Sequence, residues 1–342
     1  MGIHQMLMGA GGKSAGKHFG ETGLFGSSAT GYSDISKVTI STTSNTANFG
    51  SLSRWGQYNA GAAQGGRGLW FGGKGYSTIY DYIDYVTIAT AANSSTFGSM
   101  NYGLQRFCGF AGKGRAVVAG GEPSWSGYGY LGMFYVTIDT TSNSTSFGNA
   151  TERRDSVPAG GSDGSRGLFG GGYLGGFGVS GGVYPQFRAI DYVTIATTGN
   201  ASDFGDLYVD SSSNNRLGNF GGTGNGTICV FMGGTTGSQY SSGSYSSTNV
   251  ISKVTVATLG NSTSWGYTYG YMVFPLGVMN NGSRSLYGGG APAYNNLGNS
   301  VYSKMYYQDM TTGSNSTLFG NLLYQGSGSA QRKMGGAGLS GD

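Results

Sequence analysis

One phrase recurs along the 342 residues, and that recurrence limits the fold more than any other feature. It reads SKVTISTTSNTANFG from Ser36, DYVTIATAANSSTFG from Asp84, FYVTIDTTSNSTSFG from Phe134, DYVTIATTGNASDFG from Asp191 and SKVTVATLGNSTSWG from Ser252. A diverged copy, MYYQDMTTGSNSTLFG, starts at Met305. The aromatic-Gly pairs that close the copies begin at Phe49, Phe97, Phe147, Phe204, Trp265 and Phe319, giving intervals of 48, 50, 57, 61 and 54. A second phrase keeps the same beat, as LWFGG at 69–73, VVAGG at 117–121, LFGGG at 168–172, VFMGG at 230–234 and LYGGG at 286–290. A fixed period means one supersecondary unit copied, each copy burying its faces only against its neighbours.

Four strands can be read in each unit. Val-Thr-Ile alternates apolar and polar residues, the period of a half-buried strand, here named c. The aromatic-Gly pair lies on strand d, its ring expected between neighbouring blades, and the Gly-Gly phrase is strand b. Strand a precedes b across a tight turn (GGR at 65–67, GKGR at 112–115, NGT at 225–227, NGS at 281–283) whose two central residues are expected at positive φ. Periods near 50 with glycine doublets are the mark of kelch-like β-propeller blades. The N-terminus opens on HQMLMGAGG, read as a strand b, and the C-terminus closes on AQRKMGGAGLSGD, similar to the internal a strands LQRFCGFAGKG and RLGNFGGTGNG. The reading is therefore all-β: a single six-bladed kelch-like propeller of four-stranded blades, closed by the C-terminal strand pairing with the N-terminal b, c and d strands. As one domain over 1–342, its blades cover 326–342 plus 1–52, 53–100, 101–150, 151–207, 208–268 and 269–325.

Gly makes up 69 residues and charged residues only 10%, a profile that alone would fit disorder. Aromatics at 13% argue against it, because disordered chains lack core formers. Net charge is +4 without a basic run, which speaks against a nucleic-acid partner. No stretch approaches the about 18 apolar residues of a membrane span, and the N-terminus has no secretory leader pattern. Met6 stands where a myristoylation signal after Gly2 wants Ser or Thr. Cys108 and Cys229 lie in apolar runs and read as buried free thiols.

The phrase DYVTIATTGNASDFGDL, with Gly-Gly strands between copies, resembles the kelch-like repeats of tailed-phage virion proteins over essentially the whole chain. That resemblance implies a virion structural protein, in the tail or as a head or tail appendage, assembled in the host cytoplasm. Its implied partners are other virion proteins in symmetric copies, or a host surface glycan. A cellular or secreted kelch-like lectin or adhesin is the alternative, and a glycan-acting enzyme a lesser one.

Residues that could carry chemistry are sparse. The only histidines are His4 and His18, so three histidines cannot gather on zinc. Glutamate occurs only at Glu21, Glu122 and Glu152, leaving little for a carboxylate-rich hydrolase. LMGAGGKS at 7–14 mimics a phosphate loop but lacks its first Gly and any following helical period. The chain is thus expected to be no enzyme and to need no cofactor or metal. Asn93, Asn143, Asn149, Asn200, Asn261 and Asn315 open glycosylation sequons, five of them in the c–d turn, where Asn reads as tolerance of a left-handed backbone. Arg67, Arg115, Arg166 and Arg284 open strand b, while Arg54, Arg106, Arg154, Arg216 and Arg332 lie near the start of strand a. Such repetition points to pairing with backbone carbonyls or acidic residues, with an anion-holding ring around the channel as the other reading.

The c–d turns are nearly identical between units, whereas the b–c loops differ in length and content, and variable loops on a rigid scaffold carry binding. These loops are read at 13–35, 74–84, 122–133, 173–190, 235–252 and 291–304. Their aromatics are the candidate contact residues: Tyr76, Tyr80, Tyr82, Trp125, Tyr128, Tyr130, Tyr173, Phe177, Tyr184, Phe187, Tyr240, Tyr245 and Tyr294. Tyr among Gly and Ser gives a large contact area at low entropic cost.

Overall fold

In the computed structural model each repeat folds as a four-stranded antiparallel sheet in the order a-b-c-d, and six such sheets form a β-propeller. It describes residues 17–26, 33–123, 129–155, 159–172, 188–208, 217–218, 221–236, 246–270, 272–273, 277–289, 291–292, 303–323 and 337–341. Blades 2 and 3 show the pattern in full. In blade 2 the strands are Ala60–Gln64, Arg67–Phe71, Tyr82–Thr87 and Ser95–Ser99. In blade 3 they are Gln105–Gly112, Arg115–Glu122, Tyr130–Thr137 and Thr145–Arg154.

The ring closes through the C-terminus. Ala337–Gly341 pairs with Thr22–Gly26, which pairs with Asp34–Thr39 and so on to Ala47–Ser51. Strand b of blade 1 is therefore TGLFG at 22–26, not HQMLMGAGG, which lies outside the described residues. Lacking the Gly-Gly doublet, TGLFG escapes a search for it, and the first b–c loop shrinks from 13–35 to 27–33. Two a–b turns also differ from expectation. Gly65-Gly66 and Lys113-Gly114 have both residues at positive φ, but in Asn225-Gly226 and Asn281-Gly282 only the glycine does. There the Asn Oδ1 accepts the N–H of Ile228 or Arg284 three residues on, so the side chain makes the turn.

The aromatic of each aromatic-Gly pair packs against the following blade, as expected. Phe49 sits with Ala63, Trp70 and Ile88 of blade 2, and Phe319 sits with Phe25, Val38 and Ile40 of blade 1. The glycine has a steric reason. A Cβ at Gly50, Gly98, Gly148, Gly266 or Gly320 would stand 2.0–2.1 Å from a carbonyl oxygen of the next blade's c–d turn, and at Gly205 2.5 Å.

That turn is the seam of the ring. The N–H after its Asn donates to the preceding d strand at all six seams, from Thr46, Ser94, Ser144, Ala201, Ser262 and Ser316, at 2.8–3.0 Å. The Oδ1 atoms of Asn45, Asn93, Asn143, Asn200 and Asn261 accept the N–H of the same d-strand residue. The hydroxyls of Thr46, Ser144, Ser262 and Ser316 accept one more N–H two residues on. The left-handed reading of these asparagines is thus corrected: among the described residues only Tyr58, Arg106 and Lys113 are non-glycines at positive φ. Asn is wanted because its amide oxygen substitutes for a strand carbonyl.

Candidate functional site

The ring has two unlike ends. At the end bearing the a–b and c–d turns, Arg67, Arg115, Arg166 and Arg284 each donate to a backbone carbonyl of the next blade, those of Ile138, Ile195, Val256 and Ser41. Each guanidinium also lies over a tyrosine of its own blade, 4.5–5.3 Å from the ring centroid. These arginines are clamps between blades, not a ring around the channel. Lys17–Gly20 crosses the channel at the same end: Gly65 N donates to Lys17 O, Gly20 N donates to Asn280 O, and His18 Nε2 is 3.0 Å from Ser162 O. Burial holds the His18 imidazole below its ordinary pKa. Beside His18 the innermost strands enclose about 50 Å³, room for a few waters and far below the about 300 Å³ of small-molecule sites.

The b–c end is where exposed rings stand. Of the expected contact aromatics, Tyr76, Tyr80, Tyr82 and Tyr130 fall among the described residues. Trp125, Tyr128, Tyr173, Phe177, Tyr184, Phe187, Tyr240, Tyr245 and Tyr294 lie outside them, as do Arg216, Arg332 and His4. Tyr76 is 75% exposed and meets Trp55 edge-on at 4.6 Å. Tyr80 and Tyr82 are 5.1 Å apart, with the Arg54 guanidinium 5.9 and 5.5 Å from their ring centroids. Burial, and next the charge of Asp84, raise the Tyr82 phenol above its ordinary pKa. Tyr130 stacks on Phe134 at 5.6 Å and neighbours Tyr102 at 5.7 Å.

Sequence reasoning missed the rings on the d-to-a crossings. Tyr102, Tyr208 and Tyr269 are 55%, 36% and 63% exposed, and Trp55 is half-buried. Tyr102, Tyr208 and Tyr269 follow the aromatic-Gly pairs of their blades by four or five residues, a spacing the sequence carries in plain view. Attention confined to the b–c loops left out the crossings that emerge at the same end.

Under this surface, between blades 2 and 3, lies a buried polar layer. Glu122 and Lys74 occupy the position after Gly-Gly, which the other blades fill with Tyr173, Thr235 and Ala291. Arg106 bonds Glu122 at 3.1 Å, and Gln105 Nε2 donates to the same carboxylate at 2.9 Å. Burial pushes the Glu122 carboxyl up to about 7, opposed by Arg106 and assisted by Asp155. Burial lowers the Lys74 ammonium, and the like charge of Arg106 lowers it further. One blade on, Arg154 and Asp191 form a fully buried pair at 2.7 Å, with Arg154 also donating to the carbonyls of Gly171 and Ala189. That pair joins the d strand of blade 3 to strand c of blade 4.

No protein-family model matches the chain, and no curated protein matches it. Among solved structures, that of YjhT superposes with a TM-score of 0.66 at 11% identity, covering 89% of this chain and 95% of that one. At that identity the likeness concerns the fold, a six-bladed β-propeller, a scaffold suited to binding.

Proposed function

We propose that the chain is a non-enzymatic virion component of a tailed phage, in the tail or as a head or tail appendage. It holds a neighbouring virion protein or a host surface glycan on the b–c end of its ring. The observation that carries the binding face is an asymmetry in how side chains are used. At the c–d end the turn asparagines, their following hydroxyls and the strand-b arginines are engaged between blades. At the b–c end large rings stand exposed, Tyr76, Tyr102 and Tyr269 foremost. Large exposed aromatics over a rigid scaffold are the usual anchors of recognition. The virion setting is supported by the repeat phrase alone.

The test is twofold. Mass spectrometry of gradient-purified particles should find the protein as a stoichiometric component. Tyr102→Ala and Tyr269→Ala should reduce incorporation or adsorption to host cells with melting unchanged. A protein absent from particles sinks the virion setting, and variants indistinguishable from wild type in both assays sink the face.

A further inference from the structure

One b–c loop is held in place throughout. In blade 2, Gln57 and Lys74 exchange both backbone bonds at 2.9 and 2.8 Å, Gly75 N donates to Thr78 O, and Tyr80 N donates to Gly73 O. The Tyr80 hydroxyl fills the place a Cβ on Gly75 would take, 2.2 Å from it. Trp55 and Tyr76 flank this bridge on its two strands, so their edge-on pair is set by backbone bonds rather than by a partner. Beneath it, Lys74, Arg106, Glu122 and Gln105 fill the blade 2–3 gap with bonded polar groups. Tyr58 and Arg106 hold φ of 61° and 60° there, conformations that cost non-glycines about 1–3 kcal/mol and tend to persist at functional sites.

The accessible groups are of two kinds. Tyr76 and Trp55 offer ring faces, the exposed Arg54 over the Tyr80 and Tyr82 rings offers a charged donor, and the exposed Asp81 of the same loop offers a charged acceptor of opposite sign. A nucleic acid would want uncompensated positive charge, and a protein anchor would want a continuous apolar patch. An edge-on pair of ring faces with a charged donor and a charged acceptor nearby matches a sugar, whose C–H face is apolar and whose rim is hydroxyl. We propose that this sector is a preorganised saccharide platform, with Trp55 and Tyr76 stacking on a sugar ring and Arg54 and Asp81 bonding its hydroxyls. It rests on the b–c end being the contact face and names the ligand class there. Because the loop is already ordered, binding pays little ordering cost.

The experiment is saturation-transfer NMR on the full chain. The probes are the methyl glycosides of glucose, galactose, mannose and N-acetylglucosamine, followed by a glycan array. At least one saccharide should receive saturation from the aromatic protons. Tyr76→Ala and Trp55→Ala should weaken its affinity tenfold or more, while Tyr76→Phe retains it and all three melt as wild type. Absence of binding to every probe and array glycan overturns the proposal, as does full affinity in Tyr76→Ala and Trp55→Ala. If no glycan binds yet Tyr102→Ala or Tyr269→Ala still loses assembly or adsorption, the face stands and only its saccharide ligand falls.

Discussion

Replacing Gly98 by alanine tests the physical account of the ring at one atom. The new Cβ would stand 2.1 Å from Ser142 O and 3.0 Å from Asn143 N, both backbone atoms of the next blade's turn. Reaching even a 3.0 Å contact moves the turn by at least about 0.9 Å. Three bonds cross this seam: Ser144 N to Ser99 O at 2.9 Å, Ser99 N to Asn143 Oδ1 at 3.0 Å, and Asn101 N to Ser144 Oγ at 3.2 Å. At about 1 kcal/mol net each, their loss costs about 3 kcal/mol. The reduced freedom of an unfolded alanine returns about 0.5–1 kcal/mol, leaving about 2 kcal/mol. With about 2.1 cal/mol/K of unfolding entropy per residue, a chain of 342 residues should melt about 3 °C lower. Gly199→Ala is the control, since nothing lies within 4 Å of its Cβ and its φ lies outside the left-handed region. Calorimetry of both variants decides. If Gly98→Ala melts within about 1 °C of Gly199→Ala, the steric account of the aromatic-Gly pair is wrong.

Arg154→Ala should cost about 3–5 kcal/mol in denaturant unfolding, because it leaves the fully buried Asp191 carboxylate, still bonded by Thr151, without its charged partner; a loss under about 1 kcal/mol would contradict that. Deleting residues 337–342 removes strand a of blade 1 and leaves an unpaired edge at Thr22–Gly26, so light scattering should show aggregation; a monomer melting like the full chain would refute closure. Glu122 has a carboxyl raised to about 7 in the folded chain against 4.5 unfolded, so between those values the folded state binds more protons. Its contribution is therefore fully present below pH about 4.5 and is lost as pH rises through about 7. Glu122→Gln should lose this dependence, read as the difference in melting temperature between variant and wild type across that range; parallel curves would contradict it.

The fold was legible because a propeller repeats its own instructions. The Val-Thr-Ile alternation marked strand c, the aromatic-Gly pair marked strand d, and the matched termini marked closure. Strand b of blade 1 was hidden because TGLFG lacks the Gly-Gly doublet found in five other copies. The role of the turn asparagines was hidden for another reason: their partners are backbone atoms 42–55 residues upstream, or 276 residues away at the closing seam. No local rule reports such a contact. At the candidate site, Tyr76, Tyr80, Tyr82 and Tyr130 were singled out because tyrosines among Gly and Ser stand out. Trp55, Tyr102, Tyr208 and Tyr269 were passed over, because a crossing segment looks like connection until the ring shows that it ends on the same side. The polar layer of Lys74, Arg106, Glu122 and Gln105 is assembled from two blades, so only the folded ring brings it together.

The most direct test of the central claim is a cryo-EM map of the native phage particle at a resolution that distinguishes the two ends of the ring. The account predicts the propeller in symmetric copies, with Tyr76, Tyr102 and Tyr269 either against a neighbouring virion protein or turned outward toward the host. A particle lacking the protein, or a ring docked through its c–d turns with those tyrosines facing nothing, would contradict it.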